Sequence, residues 1–265
     1  MQPSEDKNSK RLIEVCSSPL LFGLDDHLDE IVVVIDILRA TSSICIAFEN
    51  GAEKIIPVAE IEETRSYREK GFLVAGERNG EVIEGFDFGN SPFSFDGAKV
   101  KGKSIAFTTT NGTQAIAVAR HSKIVVIGSF LNLTVLCNWL ATQNSNVVCL
   151  CAGWKNRFNL EDTLFAGAVT DRLMNAGFNT ICDSAIAARH LYLVAKDDLN
   201  GFLEDSSHRR RLKRLHIERD IDFCLTPDQV NVIPVLKNGV LVKMPEDEMK
   251  SYGVKTVARN TAAAG

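Results

Sequence analysis

The sequence predicts an α/β protein built as a three-layer α/β/α fold around a mostly parallel or mixed sheet. Short runs of β-branched residues alternate along the chain with segments of helical periodicity, which is typical of βαβ units whose helices cover both faces of a sheet. The chain also has 265 residues, of which 45% are hydrophobic. Folding can therefore bury roughly three quarters of its unfolded surface in a sizeable core.

The predicted elements follow one another in a regular order. We expect a first strand in RLIEVCSS and a second in IVVVI, which leads through a polar turn into a helix over SSICIAFENG. A longer helix is predicted from about Asn159 to Ala176, and an Asn238-Gly239 turn predicts a hairpin near the end of the chain. The other predicted strands are KIIPV, FLVA, SIAF, IVVIGS, VVCLC, VNVIPVL and GVLVKM.

Two stretches of the chain resemble each other and indicate two related lobes. IVVVIDILRATSSICIAFENGAEKIIPVA and SIAFTTTNGTQAIAVARHSKIVVIGSF share a strand, a polar turn with threonine, an alanine-rich helix and a second strand. Unrelated βαβ units can look alike, so duplication remains one of two interpretations. We accordingly predict an N-terminal lobe over residues 11–128 and a C-terminal lobe over 129–246, with flexible tails at 1–10 and 247–265.

Composition excludes several classes of protein. The net charge is −4 and no basic stripe alternates with aromatic residues, which disfavours nucleic-acid binding. No apolar run reaches the roughly 20 residues of a membrane span, so we expect a cytoplasmic protein. Seven cysteines in mostly apolar contexts suggest reduced thiols, and no zinc or dinucleotide motif is present. A homodimer is left open.

A cluster of polar residues follows the strand IVVVI. In open α/β sheets, ligands bind beyond the carboxyl ends of strands, where helix N-termini offer unpaired N–H groups. Asp36, Arg39, Thr41 and Ser42 occupy such a strand-to-helix turn, where an anionic ligand would be received. Helix capping alone could explain the two hydroxyls, but it explains neither the acid nor the arginine.

Three more polar clusters follow predicted strands, and each has a simpler structural interpretation. Glu77 and Arg78 in AGERNGE could be a solvated pair in a turn. The letters TTTNGT could be ordinary Asn-Gly turn chemistry or an anion nest. In NLEDT, Asp162 has the spacing of a capping partner, whereas capping explains Glu161 less well.

Taken together, the four turns carry the residues of a magnesium and oxyanion site. Mg²⁺ prefers a few carboxylates plus water and substrate oxygens, and arginine binds oxyanions in a bidentate manner. Arg39 and Arg78 are the predicted anion clamps. The candidate metal ligands are Asp36, Glu77, Glu161 and Asp162.

Several uncommon strings occur in an order and at spacings that resemble one known family. They are DILRATSSI, AGERNGE, FDFGNSP, TTTNGT, IGSFLN, CAG followed by LEDTLFAGA, and later SSHRRRL, RDIDFC and VNVIPVL. This set resembles the 2-phosphosulfolactate phosphatase family of coenzyme M biosynthesis over residues 11 to about 244. The resemblance implies an α/β enzyme that uses Mg²⁺ to hydrolyse (2R)-phospho-3-sulfolactate to 3-sulfolactate and phosphate.

The resemblance also implies roles for individual residues. Asp36 would be a metal ligand or the base for the attacking water, with Arg39, Glu161 and Asp162 completing the catalytic set. The substrate-binding residues, with Ser129 the weakest member, would be Arg39, Thr41, Ser42, Arg78, Asn111, Thr113 and Ser129.

Two positions of the resemblance carry reservations. Ser207 and His208 also match it, although a histidine ahead of three arginines is more often a surface residue. The segment WKNRF, residues 154–158, is bulkier and more cationic than the resemblance leads us to expect, which points to a difference in substrate preference.

The sequence also allows other mechanisms. Cys151 and Arg157 have the Cys-x5-Arg spacing of cysteine-dependent phosphatases, although the flanking Leu150 and Phe158 do not fit that motif. A haloacid-dehalogenase mechanism is disfavoured because Leu38 stands where its second aspartate would be. A non-catalytic sensor of a phosphorylated or sulfonated metabolite is the third alternative.

Overall fold

The computed structural model describes residues 11–251, except for the side chain of Lys213. The strands are β1 (Ile13–Cys16), β2 (Ile31–Ile35), β3 (Lys54–Pro57), β4 (Leu73–Arg78), β5 (Glu81–Val82), β6 (Ser104–Thr108), β7 (Ile124–Gly128), β8 (Val147–Cys151), β9 (Pro234–Lys237) and β10 (Val240–Lys243). The helices are α1 (Pro19–Phe22), α2 (Ala40–Glu49), α3 (Ile61–Ser66), α4 (Gly97–Val100), α5 (Gly112–Ala119), α6 (Leu133–Thr142), α7 (Leu160–Asn175), α8 (Asp183–Ala195), α9 (Leu199–Phe202), α10 (Ser207–Leu212), α11 (Glu218–Cys224) and α12 (Glu246–Ser251). Short 3₁₀ helices occupy Tyr67–Lys70, Pro92–Ser94, Phe130–Asn132 and Lys213–Leu215.

The described strands form one mixed sheet in the order β1-β8-β2-β7-β9-β10-β3-β6-β4-β5. The α/β class predicted from the alternation of strands and helices is therefore confirmed. The last two strands form the expected hairpin, because Asn238 and Gly239 both have positive φ, at 53° and 78°, as a two-residue turn of this kind requires.

The parallel strands fall into two sets that run in opposite directions. Strands β1, β8, β2 and β7 are mutually parallel, as are β3, β6 and β4, whereas the β9–β10 hairpin is antiparallel to its neighbour on each side. In a flat sheet the carboxyl ends of the two sets would lie at opposite edges. The sheet twists by about 20–25° per strand, so β2 and β6 are rotated relative to each other by about 100–125°. This rotation brings the carboxyl ends of the two sets nearer to each other.

The core explains why β2 is apolar along its whole length. Successive side chains of a strand point to opposite faces. Val32 and Val34 pack with the apolar faces of α2 and α5 on one face of the sheet. Phe107 of β6 belongs to the same cluster, so both parallel sets of strands pack against these two helices. Val33 packs on the other face with α6, α7 and α8. Because both faces are covered, all five residues of β2 are fully buried.

Strands from both predicted lobes are interleaved in the sheet. Strand β2 lies between β7 and β8, and the two similar stretches each connect one parallel set to the other. The division into lobes at residues 11–128 and 129–246 stays a prediction.

The predicted C-terminal tail is wrong for residues 247–251, because they belong to helix α12, whose Met249 is buried. The amphipathic spacing of this short segment was too weak a signal to predict it. The rest of the two predicted tails, 1–10 and 252–265, lies outside the described residues. Between residues 11 and 251, no helix combines the length and the hydropathy needed to cross a membrane.

Helices α7 and α8 pack so closely that a glycine is needed between them. A Cβ atom at Gly167 would lie 2.0 Å from the carbonyl oxygen of Ala188, and backbone cannot easily yield. We expect Gly167→Ala to lower the free energy of unfolding by about 1–3 kcal/mol, measured by urea denaturation. Gly23→Ala is the matched control, because Gly23 has φ −73° and its nearest neighbour would lie 3.9 Å away. Equal stability of the two variants would contradict this packing.

Candidate active site

A cavity of about 420 Å³ lies where the turns after β2, β4, β6 and β8 meet helix α10. It brings together residues that are far apart in sequence, and its walls carry both acidic and basic side chains. Asp36, Leu38, Arg39, Glu77, Asn79, Gly80, Glu81, Asn90, Asn111, Trp154, His208, Arg211, Leu212, Arg214 and Leu215 line it.

Asp36 directly follows β2 and presents its carboxylate to this cavity. The residue is 9% exposed, and no hydrogen bond from the described residues reaches its side-chain oxygens. The N-terminus of α5 comes close because Gly112 has no side chain; a Cβ there would lie 2.8 Å from Oδ2 of Asp36. Asp36 is thus a buried acid that is held in place by packing and left free to bind something in the cavity.

The environment of Asp36 disfavours its charged form. Burial raises the pKa of Asp36 well above its ordinary value, and the nearby carboxylates of Asp162, Glu77 and Glu161 raise it further. His208 acts in the opposite direction. Asp36 therefore needs a proton or a cation beside it.

Asp162 joins the ends of two neighbouring strands. Its Oδ1 accepts a hydrogen bond from the backbone N–H of Ile37 at 2.9 Å, and its Oδ2 accepts one from Gly153 at 3.1 Å. Its own N–H donates to the Asn159 side chain, which caps α7 as the NLEDT spacing suggested. Burial and the adjacent Glu161 raise the pKa of Asp162 to about 8, against the two backbone N–H donors. With both oxygens bonded to backbone, Asp162 acts from behind the cavity wall.

Glu161 and His208 form a buried pair beside the cavity. Oε1 of Glu161 is hydrogen-bonded to Nδ1 of His208, and Oε2 is buried with no hydrogen-bond partner in the described part of the chain. His208 lines the cavity and is only 7% exposed, so the expectation of a surface histidine is wrong. The run of arginines after it suggested a solvated segment, whereas α10 turns its histidine inward.

Glu77, at the end of β4, is fixed by backbone donors on both oxygens. Its Oε1 accepts a hydrogen bond from the N–H of Thr110 at 2.7 Å, and its Oε2 accepts one from Gly80 at 2.6 Å. It nevertheless lines the cavity and is 6% exposed. These bonds tie the β4–β5 turn to the turn after β6 and hold a second carboxylate on the same wall as Asp36.

The two arginines predicted as anion clamps make bonds within the protein. Arg39 is buried in the cavity wall, where its guanidinium pairs with Asp220 and donates to the carbonyl of Gly80 at 3.2 Å. Arg78 donates to the carbonyl of Ala59 at 3.0 Å and to other groups of the turn, outside the cavity lining. Their binding roles stay predictions.

The predicted hydroxyl ligands also bond mainly within the protein. Thr41 Oγ1 accepts the N–H of Asp36 at 3.1 Å, and Thr113 Oγ1 donates to the carbonyl of Thr109 at 3.0 Å. Ser42 and Ser129 lie 2.9 Å apart, oxygen to oxygen, beneath the cavity. These four hydroxyls shape the turns.

Asn111 does line the cavity, where its Oδ1 accepts the N–H of Lys155 at 3.0 Å. The cavity also contains residues that sequence reasoning did not assign, chiefly Trp154, Arg211 and Arg214. His208 and Arg211 are three residues apart on α10 and so share a helix face, a spacing that could have indicated an inward-facing pair.

The structure does not favour the cysteine mechanism. Cys151 is fully buried, and burial raises the pKa of its thiol well above the ordinary value, with Asp162 adding to the effect. Arg157 is exposed rather than facing a reaction centre. A thiolate nucleophile would need the opposite environment.

The donor set facing the cavity suits a hard cation. Asp36 has free carboxylate oxygens, and Glu77 lines the same cavity. Mg²⁺ usually binds one or two carboxylates and completes its coordination with water and phosphate oxygens. No group of three or more histidine, cysteine or acidic side chains among residues 11–251 is placed to hold a metal without such help.

The raised pKa of Asp162 predicts a pH-dependent contribution to stability. Because the folded-state pKa lies above the unfolded value, the protonated acid stabilises the fold at low pH, and this contribution is lost as the pH rises towards about 8. In EDTA, the wild-type free energy of unfolding minus that of Asp162→Asn should therefore fall between pH 5 and pH 9. Urea denaturation across that range measures it, and a constant or rising difference would contradict the burial of this charge.

Comparison with known proteins shows the family to which this chain belongs. A family model described as 2-phosphosulpholactate phosphatase matches residues 18–239. The chain is 40% identical over 220 residues to a probable 2-phosphosulfolactate phosphatase of Caldanaerobacter subterraneus, covering 82% of this chain and 91% of the relative. Proteins of the same description from Thermotoga petrophila and Thermotoga maritima are 43% and 42% identical over 210 residues, each covering 79% of this chain and 90% of the relative. The chain therefore belongs to the 2-phosphosulfolactate phosphatase family, a family of phosphoric monoester hydrolases.

Proposed function

We propose that this protein hydrolyses (2R)-phospho-3-sulfolactate to 3-sulfolactate and phosphate in a Mg²⁺-dependent reaction. The names of its relatives support the substrate. The observation that carries the proposal is the free Asp36 carboxylate beside the Glu161–His208 pair, in one cavity with Arg211 and other cationic groups. These are the parts that a phosphate-ester hydrolase needs at its reaction centre.

The mixture of charges argues for catalysis rather than for binding alone. The substrate carries several negative charges, so a protein that only bound it would gain nothing from carboxylates in the same cavity. Asp36 and Glu77 face the cavity all the same. A divalent cation held by these acids would remove the conflict by neutralising the negative charge.

Asp36 would be the main protein ligand of the metal, and Glu77 the second or a neighbour acting through water. When bound, Mg²⁺ supplies neutralising charge at the phosphoryl oxygens. Asp162 would not contact it, because Asp162 is not part of the cavity lining and both its oxygens accept backbone hydrogen bonds. Glu161 has one oxygen bonded to His208 and would act by orienting that ring.

Proton transfer falls to Asp36 and His208. The attacking water forms the new O–P bond and gives its proton to a carboxylate oxygen of Asp36 as the ester P–O bond breaks. His208, held through Nδ1 by Glu161, donates the proton of its other nitrogen to the departing alkoxide oxygen. Exchange with water then returns both side chains to their starting states.

Activity should require Asp36 and the metal. We expect Asp36→Asn to lower kcat about 10²- to 10⁴-fold, since it removes both a metal ligand and a base, and we expect EDTA to abolish turnover and Mg²⁺ to restore it. Phosphate release from a panel of phosphate esters measures both effects. Asp197→Asn, an exposed change of the same kind, is the control. Tight binding without turnover of any ester would favour the metabolite sensor, and turnover in EDTA would exclude the metal mechanism.

The role of His208 can be tested by the leaving group. An alkoxide needs a proton, whereas a nitrophenolate leaves without one. We expect His208→Asn to lower kcat about 10²- to 10⁴-fold on alkyl phosphates and by less than about tenfold on a nitrophenyl phosphate. His190→Asn, which changes an exposed histidine, should have no effect. Equal losses on both kinds of ester would assign His208 a structural role instead.

A cytoplasmic location and a homodimer stay predictions. Cell fractionation and analytical ultracentrifugation test them, and neither bears on the chemistry proposed here.

A further inference from the structure

We propose that Arg211, positioned by Trp154, binds the sulfonate of the substrate and thereby sets specificity. This inference rests on the proposed function and deepens it. In the proposed substrate a sulfonate and a carboxylate lie on the two carbons next to the phosphorylated one, and the sulfonate is the group that we assign to Arg211.

Arg211 carries hydrogen-bond donors that the described protein leaves unused. Its Nε and one Nη atom are shielded from solvent and have no hydrogen-bond partner in the described structure. An unsatisfied buried polar group destabilises the fold, and more so when it is charged. A cation kept in that state at a cavity wall is best explained by a ligand that completes its hydrogen bonds.

The contrast with Arg39 supports this assignment. Both guanidinium groups lie in the cavity wall, but Arg39 is neutralised by Asp220. Arg211 has no such carboxylate bonded to it, although Glu161 is near enough to affect its pKa. Burial lowers the pKa of Arg211, the expected consequence of shielding a cation without a bonded counter-charge.

Trp154 holds the guanidinium in place. The Arg211 guanidinium carbon lies 4.6 Å from the Trp154 ring centroid, within the range of a cation–π contact, and the same ring lies 5.6 Å from that of His208. Stacking keeps Arg211 over the tryptophan instead of on the unpartnered Oε2 of Glu161. Its donors thus stay unpaired in the described structure.

The loop that carries Trp154 is a tight, hydrogen-bonded turn. Trp154 and Arg157 exchange two backbone hydrogen bonds, of 2.9 and 3.0 Å, across a tight turn in which Lys155 and Asn156 have positive φ. Gly153 has φ +64°, and a Cβ there would lie 2.3 Å from the carbonyl oxygen of Arg157. This loop is the WKNRF segment, which is bulkier and more cationic than the family resemblance predicts, and its hydrogen-bonded geometry suits a positioning role.

The location of Arg211 fits a ligand with two adjacent anionic groups. His208 and Arg211 are one helical turn apart on α10, so their Cβ atoms are about 5–6 Å apart. A phosphoryl group whose ester oxygen meets His208 would place a substituent on the neighbouring carbon close to Arg211. The planar guanidinium binds two oxygens of a sulfonate or carboxylate at once, which lysine cannot do.

The test compares kcat/KM for 2-phospho-3-sulfolactate with that for 2-phospholactate, which lacks the sulfonate. We expect Arg211→Gln to lower kcat/KM about 100-fold for the first ester and by less than about fivefold for the second, so that selectivity collapses. Arg211→Lys should restore only part of it. Arg210→Gln, which removes the same charge from an exposed position on the same helix, should leave the ratio unchanged. Equal losses on both esters would overturn the proposal.

Trp154 needs a separate readout because it acts through Arg211. We expect Trp154→Ala to raise KM for the sulfonated ester while kcat changes little, and we expect Trp154→Phe, which keeps a stacking ring, to recover most of the loss. A fall in kcat on both esters without recovery by phenylalanine would show a merely structural role. Circular dichroism melts establish that each variant is folded.

Failure of the proposed function can be told apart from failure of this inference. If the wild-type protein released no phosphate from either ester, calorimetric titration with 3-sulfolactate and with lactate would decide the inference by itself. Binding of 3-sulfolactate that is lost in Arg211→Gln and kept in Arg210→Gln would support it. Equal binding of the two ligands, or no binding, would overturn it.

Discussion

The rest of the site depends on two hydrogen bonds that the Asp162 carboxylate accepts from the backbone. The carboxylate is fully buried and bridges the turn after β2, through the N–H of Ile37, and the loop after β8, through that of Gly153. These two bonds tie the turn that carries Asp36 to the loop that carries Trp154, and both residues line the cavity. Burying the charge is costly, as its raised pKa shows, and the two N–H donors with the N-terminus of α7 offset part of that cost.

The acids around Asp162 differ in how their charge is balanced. Glu77 receives two backbone N–H donors and Glu161 receives His208, but Asp36 receives no hydrogen bond from the described protein. Like charges at close range in a shielded site cannot all remain ionised without a cation. The imbalance therefore concentrates on Asp36, which makes it the natural position for a metal ion or a transferable proton.

Sequence patterns pointed to the strand-end residues of this site, but the reason they gave for the convergence was incomplete. Asp36, Glu77 and Asn111 were predicted to converge because each follows a strand, and they do line one cavity. Strand ends meet at one edge of a sheet when the strands run the same way, whereas β2 belongs to one parallel set and β4 and β6 to the opposite one. Convergence depends on sheet twist and on the shared helices α2 and α5, which no local pattern reveals.

The contacts of the arginines could not be predicted from local sequence patterns. Arg39 looked like an anion clamp, but Asp220, 181 positions later in the chain, pairs with it. His208 looked exposed because three arginines follow it, and only tertiary packing turns one face of α10 inward.

The result is a cavity that carries both acids and cations. Asp36 and Glu77 contribute carboxylates from the strand ends, and Arg211 and Arg214 contribute cations from α10 and the segment after it. An arginine bonded to a carboxylate exerts little net field on a third group, so Arg211 and Arg214 contribute more to the positive potential of the cavity than Arg39 does. Under the proposed function, the acids would hold the cation that neutralises the phosphoryl group and Arg211 would bind the sulfonate, so that both kinds of charge in the cavity would be balanced.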